Sequence, residues 1–128
     1  MNRCHYVEQK GVKIFYIDFS SLKSFEEIEA LIVESKRFIR SQAPKSMITL
    51  ANIEQMHFNG QIKDLFVEYV RGNAPYVRHS AITGVDGLRR IVLNGVLKMT
   101  GRDVRCHESL DQAKLWLADR ASSVESLA

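Results

Sequence analysis

Two periods of apolar residues alternate along this chain, and their order is the first thing it reveals. Ile14, Phe15, Tyr16, Ile17 and Phe19 put apolar side chains on both faces of an extended run from Val12 to Phe19, the pattern of an interior strand. The run before it, Cys4 to Glu8, is short and polar, and Gln9-Lys10-Gly11 between them predicts a hairpin with this first strand at an edge. Phe25, Ile28, Leu31, Ile32, Phe38 and Ile39 then recur at helical spacing behind a Ser24-Phe25-Glu26-Glu27 capping box, up to a stop at Ala43-Pro44. Lys45 to Ala51 predicts a third strand. Ile62, Leu65, Phe66, Tyr69 and Val70 predict a second helix, capped by Asn59, ended by Gly72 in the left-handed region and kept from continuing by Pro75.

The same alternation continues to the end. Tyr76 to Thr83 predicts a strand that runs through a Gly84-Val85-Asp86-Gly87 turn into a helix from Leu88 to Thr100, with a further strand after Gly101 whose inward residues are Val104 and Cys106. Ser109-Leu110-Asp111-Gln112 is a second capping box, opening a last helix with Leu110, Ala113, Trp116 and Leu117 inward. From Ala121 onward small and polar residues predict a frayed tail. The order β-β-α-β-α-β-α-β-α predicts an α/β fold: one mostly parallel five-stranded sheet, an antiparallel edge strand and four helices, in a single domain over residues 1–120 with a tail from 121 to 128.

The third helix is apolar on two sides. Leu88, Ile91, Val92, Val96 and Met99 form a core stripe, while Leu93 and Leu97 lie about halfway round the cylinder beside Arg89 and Arg90. A neighbouring helix is the preferred cover for Leu93 and Leu97; a second subunit, making them an oligomer face, is the other.

Composition narrows the functional classes. A chain of 128 residues with mixed charges and a formal net charge of +3 is long enough for one core and too ordinary for a disordered or low-complexity protein. The basic residues are scattered without interleaved aromatics, so nucleic-acid binding is not expected. No 18 apolar residues run together and Met1-Asn2-Arg3-Cys4-His5 does not open a signal peptide, so a cytoplasmic protein without membrane insertion is expected. Cys4-His5 and Cys106-His107 each place neighbours on opposite faces of a strand, so neither pair can chelate one ion, and Cys4 and Cys106 are expected as reduced thiols. His57 and His79 stand alone, and no carboxylate is spaced to complete a dyad or triad. The Gly84-Val85-Asp86-Gly87 turn could offer helix-start amides to an anion, but it is neither a dinucleotide fingerprint nor a P-loop, and simple capping is the preferred reading. No cofactor, no metal and no enzymatic activity are expected.

Ile14-Phe15-Tyr16-Ile17-Asp18-Phe19-Ser20, Ala43-Pro44-Lys45-Ser46, Asn73-Ala74-Pro75-Tyr76-Val77, and Gly84-Val85-Asp86-Gly87-Leu88 running on to Thr100-Gly101-Arg102 resemble the STAS domain family, especially its stand-alone branch similar to the sporulation anti-sigma-factor antagonist and to STAS/SEC14 proteins. The likeness spans roughly residues 6–117. It implies a protein-interaction module in which an Asp-Ser-Ser-Gly motif at the start of the second helix carries a phosphorylated serine. The matching positions here are His57-Phe58-Asn59-Gly60, so Asn59 stands at the phosphoacceptor position and has no hydroxyl to phosphorylate. Two readings follow. One is a regulatory module that docks on a protein partner or on a second copy of itself through Asn52, His57, Phe58, Asn59, Gly60, Thr83, Gly84, Asp86, Gly87 and Arg89. The other, from the SEC14 side of the resemblance, is a carrier or sensor of a lipid or nucleotide, which requires an apolar pocket at the carboxyl ends of the strands.

Overall fold

The structure, a computed structural model, describes residues 2–100 and 104–127; side chains 88, 89, 91, 92, 99, 100 and 123–127 lie outside that description. The elements are β1 (Cys4–Gln9), β2 (Val12–Asp18), α1 (Phe25–Ile39), β3 (Met47–Asn52), α2 (Gly60–Asn73), β4 (Val77–Thr83), α3 (Gly87–Thr100), β5 (Arg105–His107) and α4 (Leu110–Leu127). The strands form one sheet in the order β1-β2-β3-β4-β5, antiparallel between β1 and β2 and parallel from there on. The architecture expected from the sequence is the architecture found.

The position of the helices follows from that order. Three successive crossovers advance across the sheet in one direction, and a right-handed crossover advancing one way always leaves its helix on the same face. Phe15, Ile17 and Phe19 therefore share a core with Ile28 and Ile32 of α1, Ile62 and Phe66 of α2, and Leu93 and Val96 of α3. Only α4, which follows the last strand and has no further strand to reach, crosses to the other face. There Ala113, Leu117 and Ala121 pack on Ile14, Ile48, Leu50 and Ala81. Each large apolar side chain buried this way contributes about 1.5–3 kcal/mol.

Local details of the sequence reading meet three corrections. Leu93 is only 2 % exposed and Leu97 packs partly buried against the same core, so Leu93 cannot present an oligomer face: the cover comes from within the chain, where α3 lies against α2. Of the stripe expected on α3, Leu88, Ile91, Val92 and Met99 fall outside the described side chains. Residue 121 does not begin a frayed tail. α4 continues to Leu127, and Ala121, 1 % exposed, closes the core on its own face of the sheet.

Gly72 is the third. It lies inside α2 without a positive φ, and the helix ends instead at Asn73 with Ala74 in the right-handed region. The space a side chain would take there is occupied instead. A Cβ at position 72 would fall 2.1 Å from Nη2 and 2.5 Å from Cζ of Arg40. The Arg40 guanidinium, which donates to Asn73 Oδ1 at 3.0 Å and Glu68 Oε1 at 3.2 Å, ties the end of α1 to the end of α2 across that gap. Burial alone would raise the Glu68 carboxyl, but the Arg40 hydrogen bond and the charges of Arg40 and Lys36 outweigh it and hold the pKa below its usual value.

Candidate functional site

The carboxyl ends of β3, β4 and β5 open into a crevice, and its origin is topological. β4 sends its chain into α3 on one face of the sheet, while its neighbour β5 sends its chain into α4 on the other. Connections that leave adjacent strands in opposite directions cannot pack on each other, and the space between them is where open α/β sheets hold ligands. The crevice has a volume of about 390 Å³ and is lined by Asn52, Glu54, Thr83, Gly84, Val85, Asp86, Glu108, Ser109 and Leu110.

Its walls are fixed by hydrogen bonds from the strand ends. Asn52 donates from Nδ2 to the Tyr16 hydroxyl at 3.0 Å and accepts the Glu54 amide on Oδ1 at 3.0 Å, which bends the chain out of β3. The Ile53 amide donates to the Thr83 carbonyl at 3.0 Å, and Thr83 Oγ1 donates to the His107 carbonyl at 3.2 Å, so the three loops are stitched in series. Gly84, at φ +85°, comes so near the loop after β3 that a Cβ there would lie 2.4 Å from the Glu54 nitrogen. Glu54, Asp86 and Glu108 are exposed around the rim, giving an acidic mouth to a chain whose formal charge is +3. Among the described residues no three His, Cys, Asp or Glu side chains gather closely enough to hold a metal ion.

The residues singled out from the sequence divide into two groups. Asn52, Thr83, Gly84 and Asp86 line the crevice. His57, Phe58, Asn59 and Gly60 sit apart from it at the start of α2, where Asn59 Oδ1 accepts the Ile62 amide at 2.9 Å and Asn59 Nδ2 lies 3.3 Å from His57 Nε2. Phe58 turns inward and stacks on Phe66 with ring centroids 6.0 Å apart, which leaves His57, Asn59 and Gly60 as the exposed part of that turn. Gly87 is exposed at the start of α3, and the Arg89 side chain lies outside the description. Glu54 and Val85 complete the stretches 52–60 and 84–89, while Glu108, Ser109 and Leu110 lie outside the segments the sequence points to. The rule that drew attention to the ends of β3 and β4 applies equally to the end of β5, and would have found Glu108 to Leu110.

The strands behave as their alternation requires. The Cys4 thiol donates to Glu34 Oε2 at 2.9 Å on the α1 side, while His5 meets Tyr16 edge-on at 5.6 Å on the other. Burial first, then the hydrogen bond and charge of Glu34, push the Cys4 thiol up to about 12. Cys106 packs against the larger core and His107 against Trp116 on the opposite side, at 5.3 Å.

No protein-family model matches the sequence, and no curated protein does. Among solved structures, an anti-sigma-factor antagonist (STAS) domain protein from Planctomyces limnophilus superposes with a TM-score of 0.60 at 17 % identity, covering 90 % of this chain and 97 % of that one. The chain has a STAS-like fold. At that identity the likeness concerns architecture, and the activity has to be argued from the site. Within this STAS-like frame Asn59 caps the start of α2 through its side-chain amide oxygen. No helix among the described residues is long and apolar enough to cross a membrane.

Proposed function

We propose that this STAS-like chain is a non-enzymatic regulatory module that docks on a protein partner through the carboxyl edge of its sheet, using the exposed turn at His57, Asn59 and Gly60 and the acidic rim of Glu54, Asp86 and Glu108. The observation that carries the proposal is Asn59. It caps α2 as a serine would, with its side-chain oxygen 2.9 Å from the Ile62 amide, yet offers no hydroxyl to a kinase. A docking surface built on this turn is therefore constitutive at position 59. Its natural partner presents basic residues to the rim.

The crevice supports docking over carriage of a lipid. It is open, and Asn52, Glu54, Thr83, Asp86, Glu108 and Ser109 stand in it beside Val85 and Leu110, whereas small-molecule sites that hold apolar ligands are enclosed and predominantly apolar. The apolar crevice beneath α2, lined by residues including Ile17, Phe66, Val70 and Val104, has a volume of about 40 Å³, room for a water molecule or two and not for an acyl chain.

The test is to use the full chain as bait in native lysate, beside Asn59→Arg and a Glu54→Lys/Glu108→Lys double variant, after confirming that all melt alike. The expected result is one protein held by the wild type and lost by both variants. Equal retention by all three baits, or a small molecule that copurifies in the crevice at one equivalent, would overturn the reading.

A further inference from the structure

On the α4 side of the sheet three elements bring together a cluster that docking does not use. Trp116 of α4 lies under two guanidinium groups, with Cζ of Arg105 5.8 Å and Cζ of Arg120 5.4 Å from the ring. The His107 ring is 5.3 Å away. His79 joins them through an irregularity in β4. Met47 pairs with Val77 but Ile48 pairs with His79, so Arg78 is an extra residue, a β-bulge. Val77 belongs to the core on the α1 side and Ala81 to the core under α4. The inserted residue reverses the alternation between them and delivers His79 to the α4 side with Ala81. Arg78 and Arg120 stand near enough to His79, and Arg105 to His107, to depress the imidazole pKa further after burial has lowered it.

The charge in this cluster is one-sided. Among the described residues none of Arg78, Arg105 and Arg120 forms an ion pair with a carboxylate. Nε2 of His79 and Nε2 of His107 are both buried without a hydrogen-bond partner. Buried polar atoms in native proteins are nearly always paired, and two orphans in one cluster of cations call for a partner. A guanidinium laid on an indole keeps its N–H edge free, and that edge matches two oxygens of a phosphate.

We propose that the β4–β5 edge beside α4 binds a phosphoryl group, held by the guanidinium groups of Arg78, Arg105 and Arg120, with the imidazoles of His79 and His107 behind them as further donors. Three cations without a carboxylate partner suit a compact dianion better than the single charge of a carboxylate. Single-stranded RNA is the poorer fit, because it needs a run of aromatic faces for base stacking and Trp116, with Arg105 and Arg120 over its ring, is one. The proposal stands independently of docking at the crevice.

Trp116 is the chain's single tryptophan, so its emission reports on the cluster directly. The full chain is titrated with inorganic phosphate and with a phosphoserine peptide, against potassium chloride at matched ionic strength. A saturable emission change is expected with phosphate and not with chloride, weakened about tenfold or more in Arg105→Met and Arg120→Met and less in Arg105→Lys, which keeps the charge but loses the fork. Tighter binding of the peptide identifies a modified protein as the source, and equal or weaker binding a free phosphorylated compound. A response to phosphate no different from chloride, variants that melt normally and bind like wild type, or binding confined to an RNA oligonucleotide would overturn the proposal.

Discussion

Gly84 offers the sharpest test of how the edge of the sheet is assembled. Replacing it by alanine meets two separate obstacles. The backbone sits at φ +85°, and a side chain in the left-handed region costs about 1–2 kcal/mol. The new Cβ would also lie 2.4 Å from the nitrogen and 2.7 Å from Cα of Glu54, atoms of the main chain that cannot swing aside as a side-chain tip can. Moving them breaks into the stitch between Ile53 and Thr83, and overpacking of this kind costs about 1–3 kcal/mol more. The expected loss for Gly84→Ala is therefore about 2–5 kcal/mol, a fall in Tm of roughly 7–19 °C for a chain of this size. Gly95 provides the control: it lies inside α3 with nothing within 4 Å of an added Cβ, so Gly95→Ala should stabilise by about 0.5–1 kcal/mol. Urea titration of both variants with the wild type gives the comparison. A loss below about 1 kcal/mol for Gly84→Ala would show that the loops after β3 and β4 are not held together as described.

Three further predictions concern other parts of the chain. Gly72→Ala should cost about 1–2 kcal/mol although it improves helix propensity, because it displaces the Arg40 guanidinium; in an Arg40→Ala background the same substitution should be neutral or stabilising, and additive free energies from urea melts would refute the link. Asn59→Ser should change stability by less than about 0.5 kcal/mol, whereas Asn59→Ala should lose about 1 kcal/mol with the cap; equal melts for all three proteins would mean that the bond to Ile62 contributes nothing. Cys4 holds its proton to about 12 in the folded chain against an ordinary 9.0, so above pH 9 the folded state binds more protons than the unfolded one and stability falls as pH rises toward 12. At pH 8 its alkylation, followed by peptide mass spectrometry, should be far slower in native protein than in urea, and faster in Glu34→Gln than in wild type; native and unfolded rates that coincide would contradict the Cys4–Glu34 contact.

What the amino-acid order alone determined was whatever depends on neighbours in the chain. Alternating and helical periods placed nine elements, and Ser24, Asn59 and Ser109 marked helix starts because a cap acts within three residues: the Glu27, Ile62 and Gln112 amides do bond to them. The order of strands and helices, with the handedness of crossovers, sufficed for the sheet. Tertiary structure decided the rest, because it concerns residues distant in sequence. Gly72 reads locally as a helix stop, and only the tertiary structure shows that it lies inside α2 with the guanidinium of Arg40, thirty-two positions earlier, packed over it. Leu93 reads as surplus on a helix already furnished with a core stripe, and only the packing of α3 against α2 buries it. One extra residue at Arg78 reverses which face His79 occupies, a change invisible to any pattern that assumes unbroken alternation. The acidic crevice and the arginine cluster around Trp116 both arise where separate strands and helices converge, and no period along the chain encodes such a meeting.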